Sequence, residues 1–490
     1  MITRRNHRQN EIVIMTMEEL VPQESLYRKI DKHIDFSFIY KEVKELYSEK
    51  EGRPSIDPVV LFKLVFIQYL DGIKSMRKTC EKIKTDAEYR WFIDMPYGQE
   101  TPHYSTFSKN YERRFKGNEI FEKIFINIVN QADKYGLVGK DDTYTDSTHK
   151  KANANIHKYE NQTVSEIRKR RVAIEAEINQ ERERLGKKAF EYEEEIVTKN
   201  IKVSTTDEES GYYHRDEKEK GFMYLDHRTV DGKANIIIDS HITKGNVHDS
   251  TPYISRLEYI KEKYGWMPKK VGLDSGYDNL EIKQYHEENG IYGVIAQRRY
   301  GQGKTGIRKW RFKYLKDCDV YVCPQTGVIL EYRNISKYGY KEYYNSQSCA
   351  DCPHMSGCCK NSKYRKIRRY IKEEINERAR QIRLSPEGKA IAQKRRETVE
   401  RSFADSKCNH GFRYAIYKGV KKNQNYTWLS CAAQNMKNIA IRVDKRQHEL
   451  RNTNDSSVIS IVYSKILLLI QFLKNQNPLA FFKLRGLSTV

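Results

Sequence analysis

The stretch "RRETVERSFADSK", residues 395 to 407, carries the charges best spaced for chemistry: Arg396, Glu400 and Lys407, with Arg395 beside them. Glu, Arg, Ala and Lys favour a helix, in which steps of four and seven residues turn through about 400° and 700° at 3.6 residues per turn, so the three share one face. A stripe of this kind is commonly a solvated salt-bridge face. A chemical reading needs further acidic groups, and two sit where strand-like runs give way to polar loops: Asp146 in "TYTDSTHKKANAN" and Asp274 in "VGLDSGYDN". Strand ends are where open α/β sheets present functional groups, although a single Asp there is often a turn former.

Three clustered carboxylates cannot stay ionised without positive charge among them, and hard oxygen ligands with open water positions suit Mg²⁺ or Mn²⁺. Two such ions, roughly 4 Å apart, could activate a water or a 3′-hydroxyl and stabilise the leaving oxygen at a phosphodiester. Asp146, Asp274 and Glu400 would then be both the catalytic residues and the metal ligands. Asp141, Asp142, Asp239 and Asp278 compete for the role, Asp239 most strongly because it too ends a strand-like run.

The elements that must position these groups are legible in the hydrophobic periodicity. Apolar residues at three- and four-residue spacing in "DPVVLFKLVFIQYLDGI" and "FEKIFINIVNQADKYG" predict a helical domain over 1–135, a candidate for DNA binding through its basic segments. Its basic segment "KNYERRFKG" suits DNA backbone contact and helix packing equally well. From 140 to 299 the order is three strands, a helix, then strand, helix and strand: "DDTYTDST", "GFMYLDHRTV", "ANIIIDSHIT", "PYISRLEYIKEKYG", "KKVGLDSG", "NLEIKQYHEENG", "IYGVIAQ". That order predicts a mixed-sheet α/β (α+β) nuclease core with its first and fourth strands side by side. A charged stretch at about 157–200 predicts an inserted long helix or helical hairpin. A second insertion at 300–372 is rich in Tyr, Gly, Cys and basic residues. Helix returns over 373–445, with Ser385 as N-cap and Pro386 at the first helical position, and 446–490 forms a C-terminal helical tail.

Composition narrows the partners. Lys and Arg number 89 against 66 Asp and Glu, a net charge of +23 spread along the chain, which suits a nucleic acid. No G-x4-G-K-[ST] phosphate loop is present, so no nucleotide cofactor is implied. "MITRRNHRQNEIVIMTMEEL" lacks the apolar stretch of a signal peptide, and a cytoplasmic location is expected. "VISIVYSKILLLIQFL" contains Lys465 and is shorter than the roughly 20 apolar residues that span a bilayer. It reads as a buried or oligomerising helix, and no membrane partner is expected.

Among the 9 cysteines, Cys349-x2-Cys352 is one half of a structural zinc site that Cys323 with Cys358 or Cys359 could complete; unligated thiols and a redox pair are the alternatives. "KNSKYRKIRRYIK", just beyond, has seven basic residues and no acidic one, and reads as a DNA clamp or a solvated basic segment.

Taken together, these residues resemble the DDE transposases of bacterial insertion sequences, which are built on an RNase H-like core. The opening stretch matches the family's R-x3-E-x6-K signature as Arg396, Glu400 and Lys407, and "TDST" with "ANAN", "EKEKGFMYLDH", "HITKGNVHDS" and "LDSGYDN" are similar stretches in the right order. The resemblance reaches about residue 441. It implies Asp146, Asp274 and Glu400 as the catalytic triad, with Arg396, Lys407 and Arg395 on DNA phosphates. The signature usually has a tyrosine three residues before its arginine, where this chain has Gln393.

The function implied is metal-dependent cleavage at insertion-sequence ends and strand transfer into target DNA. The partners would be double-stranded DNA, both terminal inverted repeats and target, and further copies of the chain in a homodimer or higher oligomer. The alternatives are a catalytically silent DNA-binding descendant and an endonuclease that cleaves without joining.

Overall fold

The structure, a computed structural model, describes residues 12–48, 54–167, 170–215, 219–297, 306–359 and 362–476, with side chains given as far as residue 450. Two compact units divide the chain: one of 1–138, 409–411 and 428–490, the other of 139–408 and 412–427.

Helices build the first unit: α1 (Met17–Leu20), α2 (Leu26–His33), α3 (Phe38–Val43), α4 (Pro58–Leu70), α5 (Met76–Thr85), α6 (Ala87–Phe92), α7 (Ser105–Asn110) and α8 (Ile120–Lys134). Asp57 starts α4 by accepting the Val59 and Val60 N–H groups ahead of Pro58, whose missing N–H costs nothing there. The helix is buried almost all round, with Phe62, Val65, Phe66 and Ile67 fully enclosed. In the basic segment "KNYERRFKG" a π-helical turn, Tyr111–Phe115, buries Phe115 against Phe62 and the Arg114 guanidinium lies 4.5 Å over the Tyr47 ring, while Lys109, Arg113 and Lys116 are exposed.

The second unit is a mixed α/β assembly. Its strands are β1 (Asp142–Lys151), β2 (Tyr159–Ile167), β3 (Ile196–Ser204), β4 (Gly211–Arg215), β5 (Glu219–Asp231), β6 (Ile237–Lys244), β7 (Lys270–Leu273) and β8 (Tyr292–Ile295); helix α9 (Val172–Arg184) lies between β2 and β3, α10 (Tyr253–Tyr264) before β7 and α11 (Leu280–Glu288) after it. The main sheet runs β4-β5-β1-β7-β8, with β6 also on β5. β1, β7 and β8 are parallel, and β5 opposes β1, β4 and β6. The first and fourth expected strands, β1 and β7, are therefore neighbours. α10 and α11 close one side through a core of Tyr253, Leu257, Val271, Leu273, Tyr277, Ile282, Ile291 and Ile295.

Two expectations are corrected. The insertion at 157–200 is not a long helix: β2 and β3 pair as a hairpin that carries α9. β-Branched residues in "NQTVSEI" and "IVTKNIKVS" favour strands, and cross-strand contacts such as Thr163 Oγ1 to Asn200 Oδ1 (2.8 Å) hold them. Asp146 lies within β1 rather than at its end, because β5 continues to pair with β1 as far as Lys151 after β7 has stopped at Leu273.

The second insertion forms a separate antiparallel sheet of β9 (Lys313–Leu315), β10 (Val320–Val322), β11 (Ile329–Ile335), β12 (Tyr340–Tyr344) and β13 (Ile367–Tyr370), with α12 (Ser346–Ala350) and α13 (Met355–Cys358) before the last strand. α14 (Glu373–Leu384) and α15 (Pro386–Arg395) follow and pack on β8 and β7. Ser385 caps α15 as expected, its hydroxyl accepting the Gly388 N–H at 2.9 Å. α16 (Arg401–Asn409) and α17 (Val420–Gln476) end the described chain. The apolar run "VISIVYSKILLLIQFL" falls in α17, where its side chains lie outside the described residues. Among the described residues, no helix is long and apolar enough to cross a membrane.

Candidate active site

Thr145 pairs with Leu273 across the parallel β1–β7 ladder, so Asp146 and Asp274 occupy the next positions of adjacent strands. Asp274 leaves the sheet there and its Oδ1 accepts the Gly276 N–H at 2.7 Å, starting a 3₁₀ turn. Asp146 Oδ1 accepts the Ser147 N–H at 2.8 Å. Glu400 comes from a different element, at the end of a π-helical turn, Arg396–Glu400, between α15 and α16. Sequence spacing predicted an unbroken α-helix; the wide turn interrupts it, a device that recurs at functional sites.

Arg395 ties the sheet to the helix. Its Nη1 donates to Asp146 Oδ2 at 2.6 Å and its Nη2 to Glu400 Oε1 at 2.7 Å. Burial nonetheless pushes the Asp146 carboxyl up to about 6, with Asp274 raising it further and Arg395 opposing.

A buried ion pair anchors α16 over the same strands. Arg228 on β5, fully enclosed, donates to Asp226 at 2.8 Å and to the hydroxyls of Ser402 and Ser406 at 3.0 and 2.8 Å, and it lies 4.7 Å over the Phe403 ring. Ser240 donates to the other Asp226 oxygen at 2.5 Å. Glu400 sits immediately ahead of the helix that this cluster holds.

Sequence reasoning missed Asp249. Its Oδ1 accepts from Ser147 at 2.6 Å, and a Cβ on Gly276 would meet its Oδ2 at 2.8 Å and Asp274 Oδ1 at 2.9 Å, so the two carboxylates crowd one glycine. Among the described residues the buried Tyr277 hydroxyl has no hydrogen-bond partner, and its proton is held by burial and by the charges of Asp146, Asp249 and Asp274. The only signal available was that Asp249 lies in the family-like stretch "HITKGNVHDS".

Hard carboxylate oxygens, an orphaned buried hydroxyl and a guanidinium lodged between two of the acids fit a place for added positive charge. Among the described residues no group of three or more His, Cys, Asp or Glu side chains is gathered as a metal-holding set; at Asp146 and Glu400 the arginine stands between the acids.

The competing aspartates are engaged elsewhere. Asp239 lies inside β6 and makes a two-point ion pair with Arg256 (2.8 and 2.6 Å); Asp141 pairs with Lys269, Asp142 with Lys394 and Asp278 with Lys283. Of the cations expected on DNA, Arg396 is exposed, Lys407 is half-buried and donates to Thr148 at 2.5 Å, and Arg395 faces the carboxylates; Gln393 is exposed. Of the basic run at 360–372, Lys360 lies outside the described residues, and four of the remaining cations are paired within the chain. Lys366 and Arg368 pair with Glu342, Arg369 with Glu377 and Lys372 with Glu177, which weakens the clamp reading.

Cys323, Cys349, Cys358 and Cys359 all pack on one cluster around Phe312, Tyr321, Leu330 and Tyr343. Cys323 opens a tight turn in which the Gly327 N–H donates to its carbonyl at 3.0 Å, and hydrogen bonds from Thr326 and Gln325 lower its thiol although burial opposes them. Burial and the neighbouring Cys359 push Cys358 up to about 11.

Two family models match the chain: a transposase domain over residues 15–113 and a transposase DDE domain over 322–440. The two matches support a DDE transposase of an insertion sequence. The DDE match takes in Arg396, Glu400 and Lys407; in this chain Asp146 and Asp274 lie ahead of it. No curated protein and no solved structure matches the chain.

Proposed function

We propose that this transposase cuts DNA at the ends of its insertion sequence and joins them to target DNA by phosphodiester transesterification, with Asp146, Asp274 and Glu400 as the reacting carboxylates. The observation that carries the reading is the Asp146–Arg395–Glu400 bridge, in which acids from sheet and helix share a single cation. An RNase H-like core is supported by the strand order and by β5 being antiparallel to β1 while β7 and β8 are parallel to it.

Asp146, Asp274 and Glu400 would hold two Mg²⁺ or Mn²⁺ ions, which when bound supply Lewis-acid stabilisation of the attacking and leaving oxygens. Arg396, exposed at the start of the wide turn, and Lys407 would take phosphate oxygens of the terminal repeats and target duplex. Pairing two ends calls for a homodimer or higher oligomer on DNA, and a cytoplasmic location suits access to DNA in a bacterium. A structural zinc ion on Cys323, Cys349, Cys352 and Cys358 is the reading favoured by the packing of Cys323, Cys349 and Cys358 on one core cluster, by the C-x2-C spacing that adds Cys352, and by the hydrogen-bonded turn at Cys323.

The test is a labelled duplex bearing a candidate element end, incubated in Mg²⁺ with the parent and with Glu400→Gln. Cleavage and joining by the parent alone, with DNA bound by both, is the expected result. Cleavage without joined products makes the protein an endonuclease; binding without cleavage by either makes it a silent DNA-binding descendant; equal cleavage by both removes Glu400 from the triad.

A further inference from the structure

Arg395 reaches two acids that belong to different elements, Asp146 on β1 and Glu400 at the end of the π turn, with one nitrogen to each at 2.6 and 2.7 Å. The atoms it occupies, Asp146 Oδ2 and Glu400 Oε1, are oxygens a divalent cation at this site would need. A guanidinium is planar and permanently charged, and its fork can satisfy two carboxylates at once, whereas a lysine is a point charge. Arg395 and Asp146 are each only 18% exposed, so solvent screens that contact weakly, while Glu400, at 44%, is the more screened partner. Other basic groups nearby do not substitute for it, since Lys394 pairs with Asp142 and Lys407 is bonded to Thr148.

Resting on the metal-carboxylate reading above, we propose that Arg395 is a resident counter-ion of the DNA-free enzyme. It holds Asp146 and Glu400 in place of the divalent cation, competes with that cation for their oxygens, and gives way when a DNA phosphate offers it another partner. Without it the two acids would face each other across the gap between sheet and helix with nothing to balance them. With it the acids stay positioned, but the site loads metal poorly until DNA arrives. Metal occupancy and DNA binding are thereby coupled, and each must strengthen the other by the same factor.

The test is calorimetric titration of Mn²⁺ into the full-length protein without DNA, comparing the parent with Arg395→Gln, Arg395→Lys and Glu400→Gln, with circular dichroism to show that each is folded. Arg395→Gln should bind Mn²⁺ about tenfold more tightly than the parent, within the usual range of coupling between sites. Arg395→Lys should fall between them, and Glu400→Gln should bind more weakly than the parent. Adding duplex DNA should raise the parent's Mn²⁺ affinity towards that of Arg395→Gln and change the variant less. Unchanged or weaker binding by Arg395→Gln and Arg395→Lys, with Glu400→Gln still weakened, would overturn the counter-ion role and leave the metal reading standing. Absence of Mn²⁺ binding by the parent and by both arginine variants, with and without DNA, would overturn both.

Discussion

Asp146 on β1 and Arg228 on β5 lie directly opposite each other in the antiparallel ladder, one carrying a candidate reacting carboxylate and the other clamping the helix that follows Glu400. The relation between sheet and helix therefore depends on a fully buried ion pair. Removing one member of such a pair leaves an uncompensated charge, at a typical cost of about 3–5 kcal/mol. Arg228→Met should lower stability by that order in chemical denaturation, and adding Asp226→Leu should recover part of the loss.

Gly276 is spaced so that a methyl group would collide with Asp249 and Asp274 together. Gly276→Ala should keep the fold, because its neighbours in the turn are unchanged, yet displace Asp274. A misplacement near 1 Å can cost on the order of 100-fold in rate. End cleavage reduced to that extent, with unaltered DNA binding and circular dichroism, is the expected outcome.

His227 is pushed down to about 3, chiefly by burial and then by His241, His149 and Arg256. It stays neutral in the folded chain while its unfolded counterpart takes up a proton below about 6.5, so its contribution to stability is present above that pH and is lost as the pH falls toward 3. The loss is on the order of 5 kcal/mol at most. His227→Gln should show a smaller drop in melting temperature between pH 7 and pH 4.5 than the parent.

If Cys323, Cys349, Cys352 and Cys358 hold zinc, the purified chain should carry about one zinc ion, measured by mass spectrometry of the metal. Cys349→Ser should lose it and unfold the insertion at lower temperature. A metal-free parent would assign these thiols to core packing.

Arg396 is exposed at the start of the signature. If it contacts phosphate, Arg396→Ala should weaken DNA binding evenly across sequences and reduce the slope of log affinity against log salt by about one. An unchanged slope would take it off the DNA.

Much of the architecture was legible because its signals are local. The alternating and short apolar runs of β1, β5, β6, β7 and β8 and the Ser385–Pro386 start of α15 need only neighbouring residues to be read. The adjacency of Asp146 and Asp274 also followed from strand order alone. What escaped depends on partners remote in sequence: the pairing of β2 with β3 across α9, the burial of Arg228 beneath Ser402 and Ser406, and the approach of Asp249 to Asp274 over a glycine. The pairing of Lys366, Arg368, Arg369 and Lys372 with Glu342, Glu377 and Glu177 escaped for the same reason.

The wide turn at Arg396–Glu400 sets a rotational phase. α16 is locked by Arg228, and α15 is seated on β7 and β8, so neither helix is free to rotate about its axis. The extra residue in the turn is what lets both seatings hold while Arg395 still faces Asp146. Deleting one residue between 396 and 400 would turn one helix by about 100° relative to the other, and either the clamp on α16 or the bridge from Arg395 would have to break. Chain length within residues 395–407 is thus constrained as tightly as residue identity.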